Sequence, residues 1–94
     1  MSTQIFIPQL DKSTTIDNVI DIIQFEYSIG KIKSVHISST PNDNKHVNVY
    51  IKLHLNIKNS ISQHLLKYNN YSIPVLKYSD YEDRTYKMWQ LIKI

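Results

Sequence analysis

Cysteine is absent from the 94 residues. That excludes a disulfide and a thiolate zinc site, and it fits a reducing compartment. Glycine occurs once, at Gly30, so no glycine-rich phosphate loop can be built. No apolar run approaches the roughly 20 residues of a membrane span. Met1-Ser2-Thr3-Gln4 carries no signal-peptide pattern. The expectation is an intracellular protein, in cytoplasm or nucleus, with no membrane partner. Acidic residues are missing from Asn44 to Ser79, a stretch that holds Lys45, Lys52, Lys58, Lys67 and Lys77. The carboxylates concentrate instead in Asp17, Asp21 and Glu26, and again in Asp80, Glu82 and Asp83. Such segregation can steer an anion to one side of a small domain. The plainer alternative is ordinary surface scatter on a chain of net charge +3.

What is present is enough for one folded domain over residues 1–94. Hydrophobic residues make up 41% of the chain against 20% charged, which favours a core over disorder. Residues 4–10 read as a first strand. Thr14 opens a helix with Asp17 three residues later, in the manner of a capping box. Ile16, Val19, Ile20, Ile23 and Tyr27 recur at helical spacing as one apolar stripe. Gly30 reads as the stop of that helix, where positive φ is cheap for glycine.

Alternation of Val35 and Ile37 with Ser34 and His36 predicts a half-buried strand, and Ser38–Lys45 a polar turn. The clearest strand signal is over 46–55, where Val47, Val49, Ile51, Leu53 and Leu55 alternate with polar residues. Ser60 and Gln63 predict a capping box for a second helix, with Ile61, Leu65, Tyr68 and Leu66 on its apolar face. Residues 71–78 form a short strand that Pro74 places at an edge. An acidic turn over 79–84 leads to a last strand over 86–94.

The order is β-α-β-β-α-β with an extra edge strand before the last. With right-handed crossovers this gives an α+β, ferredoxin-like split βαβ architecture: a four-stranded antiparallel sheet with two helices on one face. If Ile5, Ile7, Val49, Ile51 and Leu53 point to the helices, Phe6 and Tyr50 point to the open face. Exposed rings on a sheet are the usual platform for nucleic-acid bases.

Ile5-Phe6-Ile7-Pro8-Gln9-Leu10, Gly30-Lys31-Ile32-Lys33-Ser34-Val35-His36-Ile37 and His46-Val47-Asn48-Val49-Tyr50-Ile51-Lys52-Leu53 together resemble the RNA recognition motif (RRM) family. The likeness runs over residues 4–68. In the first segment Gln9 replaces the usual Asn. The third lacks the family's basic-Gly start and keeps only the second aromatic, with Asn48 where a further ring often stands. The resemblance implies that Phe6 and Tyr50 stack on bases of single-stranded RNA, with single-stranded DNA as a variant. Asn48 could bond a base edge or sugar, and Lys52 shares the face of Tyr50 and suits phosphate. His36 could stack from the second strand, and Lys31, Lys33 and Lys45 border the sheet. The tail, with Tyr81-Glu82-Asp83 and Tyr86-Lys87-Met88-Trp89-Gln90-Leu91, looks similar to RRM-like proteins of giant DNA viruses. That likeness would place a viral protein in host cytoplasm or virion.

Each polar residue also has a plain reading as a solvated surface group. Phe6 and Tyr50 have a second reading too. The C-terminal segment, through Trp89, Tyr78 or Tyr81, a second copy, or another protein could cover the sheet and make this a protein-interaction or homodimerisation module. No catalytic constellation stands out, so no enzyme and no cofactor is expected. His36, His46, His54 and His64 lack metal-ligand spacing. His46 and His54 lie too far apart on one strand at a rise of ~3.3 Å per residue. An acylphosphatase-type enzyme would want an arginine and a glycine-rich cradle after the first strand, and Asp11-Lys12-Ser13 has neither.

Overall fold

The structure, a computed structural model, describes residues 2–76 and 86–94. Strand β1 (Thr3–Asp11) leads to helix α1 (Ile16–Ile20), which runs directly into a π-helical segment (Asp21–Glu26). Strands β2 (Gly30–Ser39) and β3 (His46–Leu55) follow, then helix α2 (Ser60–Tyr68) and strands β4 (Asn70–Leu76) and β5 (Tyr86–Lys93). The strands form one antiparallel sheet in the order β2-β3-β1-β5-β4. Among the described residues the fold is α+β, with five strands and two helical regions, α1 with its π-helical continuation and α2. The strand expected at an edge before the last is β4, which pairs with β5 at one edge of the sheet.

Ile5, Ile7, Val49, Ile51, Leu53, Ile73, Val75, Trp89 and Leu91 are buried from the sheet. They share one core with Val19, Ile22, Ile23 and Leu65 from the helical elements. The helices therefore cover the face to which these alternate positions point. The positions between them form the other face, hereafter the open face.

The expected helical stripe holds at Val19, Ile23 and Tyr27 and is corrected at its start and in its phase. Ile16 is exposed, whereas Ile22, off the stripe, is buried. The cause is the π-helical segment, in which the Tyr27 N–H bonds the Ile22 carbonyl five residues back. The wider turn changes the phase of the helix and brings adjacent Ile22 and Ile23 both to the core. On α2, Leu65 is buried and Ile61 half-buried, but Tyr68 and Leu66 are exposed. Ser62 takes the inward place instead, its hydroxyl donating to the Ile29 carbonyl at 2.6 Å.

Both helix starts lie one residue from their expected caps. Thr15, not Thr14, is the first N-cap, in a reciprocal capping box with Asn18. Asn59, not Ser60, caps α2. Its side-chain oxygen accepts the N–H groups of Ile61 and Ser62, while its amide donates to the Tyr27 carbonyl at 2.7 Å. Asn is as good an N-cap as Ser, and here only Asn supplies the third bond.

Gly30 does not supply positive φ; Ser28 does, at 52°. The glycine opens β2, where an added Cβ would sit 2.3 Å from the His54 carbonyl oxygen. Close approach to β3, rather than backbone freedom, requires it. No described helix is long and apolar enough to cross a membrane.

Candidate nucleic-acid interface

Two bulges set the open face. On β1 the register steps from Ile7 opposite Val49 to Leu10 opposite Val47, so Pro8 and Gln9 together face Asn48. Proline, lacking an N–H, is tolerated at such a break. Gln9 adopts φ 55°, and its N–H donates to Asn48 Oδ1 at 3.1 Å. On β2 the register steps from Ile32 opposite Leu53 to Ser34 opposite Lys52, leaving Lys33 as the extra residue. Gln24 of the π-helical segment receives the Ile32 N–H at 2.9 Å beside this bulge.

Beyond the bulges the open face is built in cross-strand rows. Phe6 lies directly opposite Tyr50, and Tyr50 directly opposite His36. The Phe6 and Tyr50 rings are 4.9 Å apart at 33°, and the Tyr50 and His36 rings 6.4 Å apart. Tyr50 remains 43% exposed, so its ring is accessible. The next row is Gln4, Lys52 and Ser34, and beyond it Lys31 faces His54. Ser38 faces Asn48 on the other side of the aromatic row. From Lys31 to Ser38 and from Asn48 to His54, with Gln4 and Phe6, no position is a carboxylate. A depression of about 370 Å³ lies beside Tyr50, between Gln4, Ser34, His36, Lys52 and Ile94.

The fold thus brings Phe6, Tyr50, His36 and Lys52 together. Lys33 projects at the β2 bulge, one position from Ser34. Asn48 is on the same face, with its side-chain oxygen engaged by the β1 bulge. Lys45 lies apart, in the turn before β3, where its N–H donates to Asp43 Oδ1 at 2.9 Å. That bond, followed by those from His46, holds the Asp43 carboxyl below the usual aspartate range despite some desolvation. Lys52 is on the open face, whereas Lys58 precedes α2 and Lys67 lies on it, beside Tyr68. The run of lysines is therefore divided between layers, and Lys77 lies outside the described residues.

Gln4, Ser34 and Ile94 were not singled out from the sequence. Gln4 and Ser34 share strand parity with Phe6 and His36, a signal that was present. Ile94 comes from the far end of the chain, its N–H donating to the Gln4 carbonyl at 3.0 Å. Trp89, suggested as a cover for the open face, is instead buried in the core on the helix side. Tyr78 and Tyr81, the other suggested covers, lie outside the described residues, as do Glu82 and Asp83. Among the described residues no three His, Asp or Glu side chains converge as a metal site.

Comparison with family models, with curated proteins and with solved structures finds no match to this chain.

Proposed function

We propose that this chain is an RRM-like domain that binds single-stranded RNA on its open sheet face. In this reading β1, α1, β2, β3, α2 and β5 form a ferredoxin-like unit, with β4 added at its edge. The order β2-β3-β1-β5 supports it. The observation that carries the functional reading is the row Phe6-Tyr50-His36, three rings side by side across three strands. Bases stack on such rings without regard to sequence, each contributing ~1–3 kcal/mol in proteins of this type. Lys52 in the adjacent row, with Lys31 and Lys33 beyond it, supplies cations for phosphates. Asn48 offers its amide N–H groups to a base or sugar edge. Lys45 stands further off and contributes least.

Protein docking on the same face is the second reading. It is favoured by Met88, which lies on the open side of β5 and is 59% exposed, and by half-buried Ile92 opposite Phe6.

Fluorescence polarisation of short labelled single-stranded RNA, at low and moderate salt, tests the proposal. The wild type is expected to bind in a salt-sensitive way. The Phe6→Ala/Tyr50→Ala variant is expected to stay folded, because the core is on the other face, and to lose binding. Absence of binding, or binding indifferent to the double substitution, rejects the proposal in favour of protein docking.

A further inference from the structure

An unpaired edge strand is a template on which another strand can add, and proteins close such edges with proline, charge, bulges or covering groups. β4 and β2 are the edges of this sheet. β4 is interrupted by Pro74, which has no N–H, and the Pro74 carbonyl accepts the Tyr27 hydroxyl. The first part of β2 is closed as well. Its Ile32 N–H is taken by Gln24, and the bulge at Lys33 breaks the line of the strand.

The second part of β2, Ser34 to Ser39, has none of these devices. Its register with β3 is unbroken from Ser34 to Ser39. Ser34-Val35-His36-Ile37-Ser38-Ser39-Thr40 contains no charge, no proline and no glycine. Nothing among the described residues bonds the outward side of this half-strand.

The segment is also complementary to itself. We propose that Ser34–Ser38 pairs antiparallel with the same segment of a second copy of this chain, about a twofold axis at His36. In that register Val35 lies opposite the second copy's Ile37, Ser34 opposite its Ser38, and His36 opposite its His36. Val35 and Ile37 are half-buried and already packed against the core, so the pairing joins the two cores at their margins. The serines and histidines meet on the open face. A twofold axis one residue on, at Ile37, would set Val35 against Ser39 at both ends and leave a single apolar pair, Ile37 against itself, in place of two. The bulge at Lys33 ends the ladder where the partner's strand also ends, opposite Ser39.

The result is one continuous ten-stranded sheet with all helices on one side. The two Phe6-Tyr50-His36 rows then lie in line across its open face. The pairing itself does not depend on what that face binds.

Sedimentation equilibrium on the whole chain tests it. The expected mass at high concentration is twice the 11.1 kDa of one chain. Ser34→Lys/Ser38→Lys sets like charges opposite each other at both ends of the ladder, and is expected to give a folded monomer by circular dichroism. Ser34→Lys/Ser38→Glu sets opposite charges there and is expected to restore the dimer. Because the chain has no cysteine, single-cysteine variants report the register. His36→Cys is opposed to itself and is expected to form an intermolecular disulfide under mild oxidation, since directly opposed strand residues fall within disulfide reach. Ile37→Cys is opposed to Val35 and is expected to form none. A monomer up to millimolar concentration, a dimer that survives the double lysine variant, or a disulfide forming as readily at position 37 overturns the proposal.

Discussion

The Gln9 N–H donates to Asn48 Oδ1 at 3.1 Å, and this bond spans the bulge that separates the aromatic row from the end of β1. Asn48 is therefore a structural residue as well as a candidate contact on the open face. Gln9 sits at φ 55°, a region that L-residues enter at some cost. The side-chain bond helps to hold it there.

Two substitutions separate the roles of Asn48. Asn48→Ala removes the acceptor and is expected to lower stability by about 0.5–1.5 kcal/mol in denaturant unfolding. Asn48→Asp keeps an oxygen for the Gln9 N–H and is expected to retain most of that stability. It also places a carboxylate on a face that has none nearby, so RNA affinity is expected to fall in the same protein.

Gly30→Ala is expected to be among the most damaging single-methyl changes. The new Cβ would lie 2.3 Å from the His54 carbonyl oxygen and 2.9 Å from Leu53 Cδ1. Backbone cannot yield as a flexible side chain would, so β2 must move away from β3. A loss of about 1–3 kcal/mol or more is expected from overpacking of this kind, read as a lowered unfolding midpoint.

The turn before β3 is expected to loosen in acid. The folded Asp43 pKa lies below its unfolded value, held down first by the Lys45 N–H and then by His46. A lowered folded value means that the contribution is present above the unfolded aspartate range and is lost as pH falls through the folded value. NMR titration is expected to show residues 43–46 shifting together below the ordinary aspartate range. Asp43→Asn is expected to remove that transition.

Lys52 is expected to act through charge rather than shape. If the open face binds RNA as proposed, Lys52→Ala is expected to lower the affinity and flatten its dependence on salt, by about 0.7 in the log–log slope for one phosphate contact on a single strand. Lys58→Ala, outside the open face, leaves that slope unchanged. Equal slopes in the two variants would remove Lys52 from the interface.

Local pattern was enough to find the strands. The alternation at 46–55 and the hexamer at 5–10 each put aliphatic residues on one face, and burial of Ile5, Ile7, Val49, Ile51 and Leu53 follows from a period of two. The same parity puts Phe6, Tyr50, His36 and Lys52 on the other face. Helix ends and phase were less legible. Thr14 and Thr15 are equally good caps in sequence, and the choice fell to Asn18, which returns the bond to Thr15. The π-helical segment depends on how Ile22 and Ile23 meet the sheet, which no single-helix period records.

What the sequence by itself determined is thus the alternation, and with it the two faces of the sheet and the rings placed on one of them. Tertiary structure decided the register, because register depends on which residues of distant strands meet. The pairing of β3 with β1 and with β2 sets Phe6, Tyr50 and His36 in one row, and only the contact with β3 explains why residue 30 must be glycine. The inward turn of Trp89 was likewise settled by the pairing of β5 with β1 and β4, since an aromatic strand residue suits either face until its neighbours are in place.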